Sequence, residues 1–120
     1  MKPPATLLAF LAIEILLFAG ASLIHAGILV GGYEHSQASA AEGVIGAVLA
    51  LSLVLCLLRQ AIMRTTALAV QAFALLGTLV GVFTIMVGVG PQMAADKAFH
   101  GLLLVVLVAG LVAAWRAARR

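Results

Sequence analysis

A single cysteine, Cys56, leaves the chain without the material for an intramolecular disulfide framework. Charge is also scarce. Four acids and seven Lys or Arg make up 9% of a 120-residue sequence that is 65% hydrophobic, too little to solvate a soluble domain of that composition. Only three prolines occur, two of them at positions 3 and 4, so long apolar runs proceed almost uninterrupted. The isoelectric point of 9.8 would suggest nucleic acid in a soluble chain. Here the basic residues stand singly or in pairs at the ends of apolar runs, where they anchor helices, and nucleic-acid binding is not expected.

What the sequence does contain is apolar length. With a mean hydropathy of +1.25, the chain reads as an integral membrane protein with the lipid bilayer as its solvent. Four spans are expected, about 5–30, 42–58, 66–89 and 98–116, each long enough or nearly so for a ~30 Å hydrocarbon core at about 1.5 Å per residue. They lack the alternation of barrel strands, and lipid offers backbone groups no partner, so the fold class is all-α. The first span has the charge and small residues of a signal peptide but exceeds its length, and is expected to be a retained helix.

Short connections at 31–41, 59–65 and 90–97 join antiparallel neighbours, which gives one domain over 1–120, an up-down-up-down bundle. Ser39 and Glu42 have capping-box spacing for the second helix, Thr65 or Thr66 would cap the third, and Pro91 would stop it or open a turn. Lys2, Arg59, Arg64, Arg116, Arg119 and Arg120 fall at one set of span ends; His25, Glu34, His35, Glu42, Asp96 and His100 fall at the other, with Lys97 as the only basic residue there. Basic residues accumulate in cytoplasmic loops, so both termini are expected in the cytoplasm, in a membrane of the bacterial inner-membrane type.

Small residues suggest how the helices meet. Gly77 and Gly81 form a G-x-x-x-G step, and Gly43 and Gly46 a second small-residue stripe. Either packing within the bundle or a homodimer seam would use them.

Two groups of residues carry candidate chemistry. Glu14 lies inside the first span, where a carboxylate costs ~2.5–3.5 kcal/mol on insertion scales. His25, almost three turns later, shares its face, so Glu14, His25 and Gln71 form a candidate proton or substrate relay; alternatively Glu14 simply bonds to Gln71 or Thr78 and joins two helices. At the outer end, His25 and His100 occupy similar depth, and Asp96 and His100 are an i, i+4 pair. With Glu42, and with Glu34 and His35 nearby, they form a candidate metal or cofactor site; imidazole with carboxylate suits Cu, Zn or Fe, and haem ranks lower because no haem signature accompanies the histidines.

The Asp96-x-x-x-His100 step resembles part of a copper site in the membrane subunits of copper-dependent methane and ammonia monooxygenases, over five residues. Glu14 in the first of four helices resembles the proton-exchanging glutamate of small multidrug-resistance transporters, which implies exchange of protons for cationic drugs. That family's tryptophan and tyrosine partners are not found, and the sole Trp115 is at the cytoplasmic end. Neither likeness assigns a family. The expected function is therefore a binding protein or accessory subunit with a metal or cofactor site. The alternatives are a proton-coupled transporter using Glu14 or a structural subunit of a larger membrane complex. An enzyme ranks below these, since no nucleophile and base stand at a recognisable spacing.

Overall fold

The computed structural model describes residues 4–117. Lys2, Arg119 and Arg120, three of the basic residues used for orientation, lie outside them. Four long helices, α1 Ala5–His25, α2 Ser36–Leu58, α3 Met63–Met86 and α4 Ala94–Ala117, account for most of the chain, and no strand occurs among the described residues. One 3₁₀ turn, Gln60–Ile62, feeds directly into α3. Even α1, with 21 residues, is long enough to cross a ~30 Å hydrocarbon core, and all four are apolar enough to do so. The surface agrees with a lipid solvent, because large apolar side chains such as Leu16, Leu51, Phe83 and Val105 point outward from every helix.

The helices end where glycine lets them, some residues short of the apolar runs. After α1 the Gly27 N–H bonds to the Ile24 carbonyl at 3.0 Å and the Ile28 N–H to Leu23 at 3.0 Å, with Gly27 at φ +77. After α3 the Gly88 N–H bonds to Ile85 and the Val89 N–H to Thr84, with Gly88 at φ +86. Both are Schellman closures, in which a left-handed residue satisfies the last carbonyls. The expected ends at 30 and 89 therefore move back to 25 and 86, since Ile28, Leu29, Val30, Val87 and Val89 continue the hydrophobicity but not the helix.

The start of α2 is also corrected. His35, in extended backbone at φ −157, accepts the Ala38 N–H on its Nδ1 at 3.1 Å and is the N-cap. Ser39 and Glu42 do not form a capping box; both lie inside α2 and face α1. Thr65 and Thr66 lie inside α3, whose N-cap Ile62 makes no side-chain cap bond. Pro91 falls in the connection between α3 and α4.

Helix α1 packs most extensively on α2 and α3 on α4; α2–α3 and α1–α4 contacts close a ring, and α1 and α3 barely touch across it. Small residues set the close approaches. A Cβ on Gly43 would stand 3.2 Å from Ser22 Oγ, and one on Gly46 would stand 3.5 Å from Phe18 Cβ, which brings α2 onto α1. Gly77 receives the Ile45 side chain and Gly81 the His100 ring. All four glycines thus face other helices of the same chain. Ser22 and Ser39 tie α1 to α2 reciprocally, each hydroxyl donating to the other residue's carbonyl at 2.7 and 2.8 Å. At the other end, the Arg64 guanidinium sits 5.8 Å over the Trp115 ring and joins α3 to α4.

Two glycine substitutions separate these roles. Gly90 has φ +83, and a Cβ there would strike the His35 ring, so Gly90→Ala should lower unfolding stability by about 1–2 kcal/mol. Gly20, inside α1, has open space around its Cβ position, so Gly20→Ala should be neutral or stabilising by up to about 1 kcal/mol, both read by denaturant titration in detergent micelles.

Candidate functional site

Four ionisable side chains from three helices converge at one end of the bundle: His25, the last residue of α1; Glu42, in the second turn of α2; and Asp96 and His100, in the first turns of α4. Helix geometry explains the meeting. Side chains tilt toward the N-terminus of their own helix, so His25 reaches back along α1 into the bundle while Glu42 reaches toward the start of α2. The Ser22–Ser39 pair, three residues before each of them, fixes the spacing.

His25 is the hub. Its Nδ1 lies 2.7 Å from Glu42 Oε2 and its Nε2 lies 3.0 Å from Asp96 Oδ1, with the ring 3% exposed. A neutral imidazole carries one N–H. Two carboxylate partners therefore fit a ring with a proton on each nitrogen, or a neutral ring with one acid protonated. Either way Glu42, His25 and Asp96 form one buried chain across α2, α1 and α4.

His100 extends it. Its Nδ1 stands 2.8 Å from the Asp96 backbone carbonyl and 3.7 Å from Asp96 Oδ2. A carbonyl can only accept, so Nδ1 carries the proton and, in the neutral ring, Nε2 keeps its lone pair. That Nε2 has no hydrogen-bond partner among the described residues and lies beside Gly81, 3.6 Å from where a Cβ would be. The two imidazole rings are 6.4 Å apart.

Next to these groups is a cavity of about 240 Å³, lined by His25, Glu42, Asp96 and His100 on one side and by apolar residues such as Phe18, Ile45, Val80 and Leu103 on the other. It exists because α2 and α4 make no contact across the ring, and because Gly77 and Gly81 put no bulk into the gap. Gln37 and Ala41 at the start of α2, Val80 on α3 and Val89 after it line the cavity and are exposed, so it is open to the surface near this end of the bundle. His35 contributes too, with its ring 6.3 Å from that of His25.

Glu34 stays outside the cluster. It is exposed in the loop after α1, where its own backbone N–H and that of Gly32, at 2.9 Å, hold its carboxyl below the usual range. Among the described residues no three His, Cys, Asp or Glu side chains are arranged to hold a metal ion, and His25 spends both ring nitrogens on carboxylates. Two imidazole nitrogens among the described residues have no hydrogen-bond partner, Nε2 of the half-buried His35 and Nε2 of His100, and only the second belongs to a buried ring.

No family model, curated protein or solved structure matches this chain. The chemistry must be read from the site itself.

Glu14 is 1% exposed and Gln71 is fully buried, on facing helices deeper in the bundle. Phe18 and Ala21, both buried, lie between Glu14 and His25 on α1, and no hydrogen bond connects the two polar groups. Thr78 is not a partner of Glu14; its hydroxyl donates to the Ala74 carbonyl at 2.8 Å. Sequence reasoning missed Gly110, the α4 residue over which Glu14 and Gln71 meet. A small residue opposite an expected buried acid was the available signal.

Removing the hub should be costly. His25→Ala would leave two buried carboxylates facing each other and should cost about 3–5 kcal/mol in detergent unfolding, whereas Glu34→Gln, at an exposed carboxylate that keeps an acceptor oxygen for Gly32, should lower the midpoint far less.

Proposed function

We propose that this chain is a multi-pass protein of the bacterial cytoplasmic membrane, an up-down-up-down bundle with both termini in the cytoplasm, that binds a small membrane-soluble molecule in the cavity beside His100. It would serve as a binding protein or as the ligand-holding accessory subunit of a larger complex. Arg59, Arg64 and Arg116 favour the cytoplasm at their end of the helices, which puts the imidazole end on the outer side.

The observation that carries the reading is the unpaired Nε2 of a buried histidine at the wall of a mostly apolar cavity. Ligand sites are concave and mostly apolar, with a few polar groups that set orientation. At about 240 Å³ the space suits a molecule of about one ring, smaller than drug-sized pockets. Its mostly apolar lining favours a molecule that partitions into the bilayer. Nε2 is an acceptor in the neutral ring, and two carboxylates stand nearby, so a head group that donates, an amine or a hydroxyl, is the complementary choice. A cofactor that takes an imidazole ligand would use the same nitrogen.

The test is calorimetric binding of 2-phenylethylamine to the purified protein in nanodiscs, with ethylbenzene as the analogue that lacks a donor. The amine should bind, ethylbenzene should bind at least about tenfold more weakly, and His100→Phe should abolish the difference. Equal binding of both compounds, or none by either, would reject the reading. A reporter fused after Arg120 should be active only as a cytoplasmic fusion.

A further inference from the structure

The cavity does not account for the other buried polar group of the bundle. Both carboxyl oxygens of Glu14 and the Oε1 of Gln71 lack a hydrogen-bond partner, although both residues are almost wholly buried. They meet over Gly110 of α4. A Cβ on that glycine would stand 2.7 Å from Glu14 Oε1 and would collide with Gln71 Oε1, so two acceptor oxygens share one small space that only glycine leaves open. The buried residues one turn away on each helix are apolar: Leu11 and Phe18 on α1, Ala67 and Ala74 on α3, Leu107 and Ala114 on α4. None of the ion pairs among the described residues includes Glu14.

The orientation of the amide is fixed by its other end. Gln71 Nε2 donates to the Ala67 carbonyl at 3.0 Å, which points Oε1 at Glu14. Turning the amide over would offer Glu14 an N–H but would bring Oε1 against the Ala67 carbonyl. The shortage of one proton is moved by such a flip and never removed. Adding one proton to Glu14 replaces the acceptor–acceptor clash with a bond: the acid O–H donates to Gln71 Oε1 and Gln71 Nε2 donates to Ala67, which pairs two of the three orphaned oxygens and leaves the weaker-accepting carbonyl oxygen of a neutral acid.

We propose that Glu14, Gln71 and the Cβ-free face of Gly110 form a proton-binding site inside the bundle, in which Glu14 holds a proton at neutral pH and donates it to Gln71. The ligand is a proton and not an alkali or divalent cation. Divalent ions such as Ca²⁺ take six to eight oxygen ligands, whereas this site presents two side chains among apolar residues. The site is separate from the cavity at His100 and stands or falls independently of it.

Infrared spectroscopy of the full chain in nanodiscs tests this. The difference spectrum between wild type and Glu14→Gln at neutral pH should contain the carbonyl stretch of a protonated carboxylic acid, unchanged by adding sodium or potassium chloride. In Gln71→Leu that stretch should shift, because the acid loses its acceptor, and Gly110→Ala should shift it as well. Should Glu14→Gln fail to fold, protein labelled with ¹³C at the glutamate carboxyl groups permits the same reading from Gln71→Leu alone. A carboxylate signature in place of the acid band, loss of the band on adding either salt, or a band indifferent to both Gln71→Leu and Gly110→Ala would overturn the proposal.

Discussion

In a bilayer a polar side chain finds its partners inside the protein or not at all, and His25 meets that constraint for half of the bundle. One imidazole satisfies a carboxylate on each side, and those carboxylates belong to different helices. The closure of α2 and α4 around α1 at this end depends on that ring. The reciprocal serine bonds beside it and the close approach at Gly43 and Gly46 set the distance at which the imidazole can reach both acids. A histidine so placed is a structural tie first, and the free nitrogen at His100 is left for other chemistry.

The four helices and the grouping of His25, Glu42, Asp96 and His100 were legible from apolar run lengths and from the charges at the run ends. Depth along a helix follows from about 1.5 Å per residue, and the expected spans put both histidines about one turn inside the same end. With the observed ends His25 is the last residue of α1 and His100 lies in the second turn of α4, and the rings still come within 6.4 Å. Rotation about the helix axis is less legible. That Glu42 takes Nδ1 and Asp96 takes Nε2, and that Glu34 turns away to Gly32, depends on the tilt of α2 and the loop that precedes it. The expected helix ends overrun the observed ones for one reason. Hydrophobicity persists through Ile28–Val30 and Val87–Val89, while Gly27 and Gly88 had already supplied the left-handed residue that closes a helix.

His35 illustrates a second limit of reading residues singly. As a histidine beside an acid in an outer loop it invited a ligand role, yet its Nδ1 caps α2 and its ring occupies the space over Gly90. Two demands of the chain, starting α2 and packing the α3–α4 connection against it, are met by one side chain. Gly110 is hard to read for the opposite reason: a lone glycine in an apolar run is a weak signal until it is set against the buried acid, and the two polar groups that face it from α1 and α3 give it its meaning.

The seam between α1 and α4 is the thinnest of the four that close the ring, and the His25–Asp96 contact lies on it. Any guest that engages Asp96 competes with the ring for the same oxygens. By reciprocity, whatever loosens this seam strengthens the guest's hold and whatever tightens it expels the guest. For such a guest, occupancy of the cavity and the separation of two helices are one equilibrium seen from two sides.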